Sequence, residues 1–340
     1  MDYLKYLGYK KLMPQEQLAY KIILNAFLSM AASFDCSRID RNVDLMKIIQ
    51  TVLGDNPAIV YFDKTKIETI ESAFEKQIHL TGVLPKSKVN QMSFELENKA
   101  NNIISTAKAA AKDEYSLLIN IYEYLQSNVR YDKKELQTNS SGISGNSVSH
   151  NAFGALINGL AVCDGFSSAF TLLAQKLGFE CMLVVGQSMY SASSSVKHGW
   201  NIVKVKNRCY HMDVTWDAKK YEEFGEFSYV YFGLHDDEII NDHEWDNYTT
   251  PSCSYGDLSY YIKNRLYANN LEQLNDIVKA SGQKLDKLIR VKLSRNINFP
   301  KNAEEYLTQL LFKEMAVAGK RTQFMYGWDE HTRCFFAKVI

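Results

Sequence analysis

Apolar residues recur at helical spacing through residues 1–130, so this part of the chain reads as mainly helical. Gln15–Ala32 and Asn42–Leu53 carry such stripes. Pro14 stands at the first turn of the former, where its missing N–H costs nothing. Asn56-Pro57 breaks the pattern, and Ala58–Phe62 reads as a short strand. Ile67–Val83 fits either helix or strand. Ser87–Lys112, rich in Ala, Glu and Lys, reads as a long helix. Glu114–Asn128 reads as another, with Leu117, Leu118, Ile121 and Leu125 on one face. Thr138–Ser149 is dominated by Asn, Ser and Gly without any period, the texture of a flexible loop.

The pattern changes after Asn151. Gly165–Leu177 reads as a helix whose stripe is Phe166, Ala169, Phe170, Leu173 and Leu177, stopped by Gly178. Cys181–Val185 reads as a buried strand and Gln187–Val196 as a second, Ser-rich loop. Gly199–Val205 alternates up to a hairpin turn at Asn207-Arg208, Cys209–Thr215 returns as its partner strand, and Tyr229–Leu234 adds another. Beyond Leu258, helices are expected near Leu271–Ala280 and Ala303–Ala318, with strands at Leu288–Leu293 and Cys334–Val339. The chain thus divides into a helical region (1–130), a mixed core (131–257) and a small α+β region (258–340), with no internal repeat.

Composition narrows the function. The 340 residues carry 39 Lys+Arg against 39 Asp+Glu, a net charge of zero, which removes the electrostatic footprint for nucleic acid or anionic membrane. Hydrophobic residues make up 46% and charged residues 23%, which excludes general disorder. No stretch reaches the ~18–20 apolar residues of a spanning helix; the longest, Ile22–Phe34, is broken by Asn25 and Ser29. A soluble, cytoplasmic protein without nucleic-acid or membrane partners is expected. The six cysteines form no C-x-x-C pair, which disfavours structural zinc and thioredoxin-like redox chemistry, and reduced thiols are expected. His235-Asp236-Asp237-Glu238 and Asp242-His243-Glu244 hold hard ligands without metal-site spacing, and solvated surface is the expected reading. No glycine-rich nucleotide loop is present, so neither cofactor nor metal is expected.

Three residues in order carry chemistry. Cys163 opens the Gly165–Leu177 helix, where the positive end of the helix dipole favours a thiolate. Gly165, Ser167, Ser168 and Ala169 after it leave room for a neighbouring layer. His198 stands at the start of a strand beside a loop, placed to aim an imidazole into a cleft. A hairpin turning at Asn207-Arg208 brings Asp213 to the same open end of the ladder, and His211 across from Trp200. Singly, each has an ordinary structural reading: a buried thiol, a hydrogen-bonded histidine, a surface carboxylate. Together they form the thiol–imidazole–carboxylate arrangement of nucleophilic acyl transfer.

The text carrying these residues is GALINGLAVCDGFSSAFTLLAQKLG, then HGWNIVKV, then YHMDVTWDA. Ala152–Asp217 resembles the transglutaminase-like superfamily, particularly its bacterial members, in all three blocks and in their order. Gly199 departs from the alanine commoner between that histidine and tryptophan. The resemblance implies a papain-like α+β fold, with a cysteine-bearing helix packed on an antiparallel sheet that carries His and Asp. It implies Cys163 as nucleophile, His198 as general base and acid, and Asp213 as the carboxylate that orients the imidazole. It further implies acyl transfer or hydrolysis at an amide bond of a protein or peptide substrate, through a thioester. Such enzymes often place a second oxyanion donor upstream of the cysteine; Asn151 and His150 stand there, and a plain loop role is open for each. Trp200 and Trp216 line either the cleft or the core, and His211 supports the site or packs beneath it. Two rivals remain at this point: a non-catalytic scaffold that keeps the fold, and an arylamine-acetyltransferase-like role with an acyl carrier.

Overall fold

Helix Cys163–Leu177 is apolar on nearly every side, and Phe166, Ala169, Phe170, Leu173 and Ala174 are fully buried. Such a helix must be covered all round. Gly178 ends it in the left-handed conformation at φ 97°, as the sequence predicts. One cover is a five-stranded antiparallel sheet, in the order His243–Trp245, Glu180–Ser191, Ser194–Val205, Arg208–Met212, Phe232–Leu234. The sheet and helix are stitched by polar bonds within the apolar layer. Ser167 donates to the Gly199 carbonyl (2.9 Å), and Asn201 donates to the Ser167 carbonyl (3.0 Å) and to Thr171 (2.8 Å). Gly165 is required by close approach, since a Cβ there would sit 2.1 Å from the Ser149 carbonyl oxygen. Helices Glu114–Asn128 and Val214–Phe224 pack on the same body. This is the α+β, papain-like architecture that the resemblance implies.

The structure, a computed structural model, describes residues 3–62, 67–72, 75–138, 148–191, 194–284, 288–299, 302–317 and 323–339. They fall into two compact units, residues 1–255 and 256–340. The first holds the core just described and the helical N-terminal region. There, Pro14–Ser29 and Leu45–Asp55 bury Tyr20, Ile23, Phe27, Ile48 and Val52 against a small antiparallel sheet. Helices Lys86–Ala110 and Glu114–Asn128 follow. The second unit packs helices Leu271–Lys284 and Ala303–Val317 on a four-stranded sheet. Its order is Tyr267–Ala268, Leu288–Leu293, Cys334–Val339, Phe324–Asp329.

Several sequence expectations are corrected. Ala58–Phe62 is no strand: Ile59, Val60, Tyr61 and Phe62 are buried in an irregular segment, pinned by Tyr61, which donates to the Phe27 carbonyl and accepts at its own carbonyl from Leu84 N. Ile67–Val83 resolves into two strands, Ile67–Glu71 and Lys76–Leu80, paired antiparallel. The described residues of Gln187–Val196 are not a loop: they belong to strands Glu180–Ser191 and Ser194–Val205, with Ser191 opposite Ser194. The ladder is held by backbone hydrogen bonds there, and Gln187, Met189 and Ser195 to Lys197 are exposed, so no apolar alternation marks it. The strand expected over Cys209–Thr215 stops at Met212, because Asp213 caps a helix that the sequence reading omitted, Val214–Phe224. Strand Phe324–Asp329 was likewise unanticipated; five of its six residues are partly buried, so burial does not alternate along it. Most of the loop expected at Thr138–Ser149 lies outside the described residues.

Candidate active site

Cys163 is the first residue of its helix, after Val162 in extended conformation, and only 3% exposed. His198 reaches it from the strand Ser194–Val205. Its Nε2 lies 2.7 Å from Asp213 Oδ2, which leaves Nδ1 for the thiol, and the Cys163 side chain is among the groups that raise the imidazole. Asp213 is fully buried and saturated: Oδ1 accepts the amides of Thr215 (2.9 Å) and Trp216 (3.1 Å). Its position as helix cap, not as strand residue, fixes the carboxylate against rotation. Burial disfavours the imidazolium at His198, but the Asp213 carboxylate and the Cys163 contact outweigh it and push the imidazole up to about 9. Burial also opposes ionisation of Asp213, yet His198 and His243 hold it well below the usual carboxylate range.

Asp213 has a second imidazole. His243 Nε2 lies 3.2 Å from the same Oδ2, and its Nδ1 lies 2.6 Å from Asp242 Oδ1. Tyr231 donates its hydroxyl to Asp242 Oδ2 at 2.6 Å. His243 is fully buried and Asp242 only 4% exposed, so the expectation of solvated surface for Asp242-His243-Glu244 is wrong at its first two residues. His243 opens a strand, His243–Trp245, whose partner residues run from Ser188 to Gly186. His235 and Asp237 of the other acidic run are outside this cluster, whereas Asp236 belongs to a different one. His211 Nε2 lies 2.9 Å from Asp236 Oδ1, and Asp236 Oδ2 accepts Cys253 N at 2.9 Å. Trp200 donates Nε1 to His211 Nδ1 at 3.0 Å, so His211 packs beneath the site through the tryptophan and does not touch Asp213.

The remaining candidates fall around this centre. Trp200 is fully buried and stacked on His198, with ring centroids 6.0 Å apart and planes 18° from parallel. Trp216 lies on the other side, 5.6 Å from His198, and is partly exposed. Asn151 commits its side-chain oxygen to the amides of Phe153 (2.9 Å) and Gly154 (3.2 Å), a local turn. His150 holds Asp164, the residue after Cys163, with Nδ1 2.9 Å from both carboxylate oxygens.

Among the described residues, two groups bring ligand-type atoms within 4.8 Å of one another: His198/Asp213/His243 and His211/Asp236/Cys253. Neither suits a cation. In the first, both Nε2 atoms face the same carboxylate oxygen at hydrogen-bond distance. In the second, the Trp200 N–H occupies the His211 Nδ1 lone pair, so coordination through Nε2 would demand an imidazolate.

A cysteine-led helix on an antiparallel sheet, with a histidine strand and a helix-capping aspartate, defines the papain-like α+β class. Residues 101–214 match the family described as the transglutaminase-like superfamily. The chain is 30% identical over 97 residues to kyphoscoliosis peptidase of Homo sapiens, a match covering 25% of this chain and 15% of that protein. It is similar to a solved structure described as a TGase, with TM-score 0.32 and 16% identity, covering 52% of this chain and 49% of the other. It is also similar to a candidate cysteine protease of Cytophaga hutchinsonii, with TM-score 0.28 and 14% identity over 45% of this chain and 62% of that one. The chain therefore spans a small part of the curated relative and about half or more of the solved ones. Among the described residues, no helix is long and apolar enough to cross a membrane.

Proposed function

We propose that the protein is a cysteine-dependent enzyme acting on amide bonds of a protein or peptide, with Cys163 as nucleophile, His198 as acid–base and Asp213 as orienting carboxylate. The observation that carries this reading is the continuous chain from the Cys163 thiol through His198 to Asp213, closed by the 2.7 Å contact. His198 takes the Cys163 proton as the sulfur becomes the nucleophile. The thiolate sulfur attacks the amide carbonyl carbon, and the carbonyl π electrons move to oxygen. Amides of the first helical turn point at that oxyanion, because no helical carbonyl precedes them. The intermediate collapses to a thioester as the C–N bond breaks, and the leaving nitrogen takes the His198 proton. Water or an amine then attacks the thioester, giving its proton to His198, and the thiolate leaves. Hydrolysis, deamidation and cross-linking differ only in which nucleophile reaches the thioester.

One observation favours a second reading, a scaffold that keeps the fold: Cys163 and His198 are 3% and 4% exposed. Alkylation separates the two. An active site predicts that iodoacetamide modifies Cys163 fastest of the six cysteines at neutral pH, read by peptide mass spectrometry, and that His198→Ala slows it. Cys163→Ala is expected to abolish amide turnover and leave the melting transition in place. Retained turnover in that variant, or a Cys163 no faster than the other five, overturns the enzyme reading.

A further inference from the structure

His243 faces a carboxylate through each ring nitrogen, Asp213 on one side and Asp242 on the other. An ionised carboxylate only accepts hydrogen bonds, so both nitrogens must carry protons and the ring is an imidazolium. Its surroundings agree. The ring lies within 4.7 Å of Trp216, 4.8 Å of Trp200 and 5.7 Å of Tyr231, centroid to centroid, an aromatic box suited to a buried cation. The charged or titratable groups facing it are His198 on the next strand but one, 5.3 Å away between centroids, Asp213 at the helix start, and Asp242 before it in the chain. His211 feels it at longer range. Asp242 and His243 lie beyond the matched segment 101–214.

We propose that Asp242 and His243 form a buried carboxylate–imidazolium pair that positions Asp213 and sets the pH up to which His198 holds its proton beside Cys163. Tyr231 anchors Asp242, Asp242 orients His243, and His243 shares Asp213 Oδ2 with His198. The second cation draws on the Asp213 charge and so eases proton release from His198. Removing it displaces the His198 edge, the upper one, toward alkaline pH. Burial resists the charge on His243, but Asp213 and Asp242 overcome it and raise the imidazole above its ordinary range.

The inference rests on the proposed nucleophile for its effect on the thiol, but the charge of His243 is measured separately. Nitrogen NMR of the histidine-labelled full chain is expected to show His243 doubly protonated at pH 7.5, and Asp242→Asn to lower its titration. The alkylation profile of Cys163 against pH is expected to move to higher pH in His243→Gln, by about one unit at the upper edge for a charge at this distance. A neutral His243 at pH 7.5 in the unmodified chain overturns the proposal without requiring any variant to fold. So does an unchanged profile in folded His243→Gln. A Cys163 that is slow in the unmodified chain overturns the nucleophile reading and the tuning with it, while the nitrogen shifts still report the charge of His243.

Discussion

Two histidine–carboxylate clusters lie on one sheet, joined by Trp200, and they differ in charge though the imidazoles of both are buried. At His198 and His243 every assigned partner of a ring nitrogen is a carboxylate or the Cys163 thiol, and both imidazoles are pushed up. At His211 one nitrogen faces Asp236, but the other accepts the Trp200 N–H. That single donor excludes the second proton, and burial then pulls the imidazole below its ordinary value against the pull of Asp236. In the second cluster burial and the neighbouring Asp236 also push the Cys253 thiol far up. Burial alone therefore does not make an active site; the sign and hydrogen-bonding sense of the partners decide.

The contrast breaks most sharply at the two aspartates. Asp213→Asn removes the anion that holds His198 charged and offers an amide N–H where a carboxylate oxygen accepted. Turnover is expected to fall about 10³- to 10⁴-fold, as when a triad carboxylate is made neutral. Asp236→Asn, made on the other cluster, is expected to leave turnover within a few-fold while costing about 1–3 kcal/mol of stability through its bonds to Ser252, Cys253 and His211. Equal losses of turnover in the two variants, at equal folded fraction, would erase the distinction.

A smaller effect is expected at the link. Trp200→Phe removes the donor to His211 Nδ1 and leaves space in a fully buried site, for a combined loss of about 2–4 kcal/mol in a urea titration. The pH dependence carries the sharper test. His211 is depressed in the fold, so its contribution is present above its unfolded value of about 6.5 and is lost as pH falls below it. His198 is raised, so its contribution is complete below about 6.5 and is lost as pH rises through about 9. Freed of the tryptophan N–H, His211 can take a second proton beside Asp236. Its titration, followed by nitrogen NMR, should move upward and the acid-side loss should shrink. A downward move would show that the Trp200 bond does not set the protonation state.

How much of this was legible from sequence depends on what each residue answers to. The Cys163 helix and its Gly178 stop follow from local pattern; the hairpin turns at Lys206-Asn207, one residue before the expected Asn207-Arg208, and pairs Asn201 with Met212 and Val205 with Arg208. That register carries His198 to the end where Asp213 caps the next helix. The helix Val214–Phe224 was missed because Asp213-Val214-Thr215 reads equally well as strand. Nothing local separates a carboxylate at a strand end from one at a cap. His243 was missed for a longer-range reason: Asp242-His243-Glu244 is polar text, and its burial comes from Trp200, Trp216 and Tyr231, residues 12 to 43 positions earlier in the chain. The Ser-rich arms beyond His198 form strands because the ladder needs only backbone there.

The smallest expected effect concerns a third buried carboxylate, one with no cation among its assigned partners. Asp55 is fully buried and accepts the amides of Gly8 (3.1 Å) and Tyr9 (2.9 Å), at the start of the short helix Leu7–Lys11. Burial raises its carboxyl to about 7, against the pull of those two amides. A carboxyl raised on folding favours the fold most when protonated: its contribution is complete below about 4 and is lost as pH rises through about 7. Asp55→Asn keeps one acceptor oxygen and replaces the other with an N–H that faces an amide. It should cost about 1 kcal/mol at pH 4.5. That gap should narrow or reverse by pH 8, where the parent must bury a charge and the amide does not. Turnover should not change. Unfolding by urea at the two pH values checks this, and a gap that widens toward pH 8 would mean that two backbone amides suffice to hold an ionised carboxylate in an apolar core. In that event Asp213, which has two amides as well, would not need its two histidines to stay charged, and the role assigned to His243 would reduce to orientation.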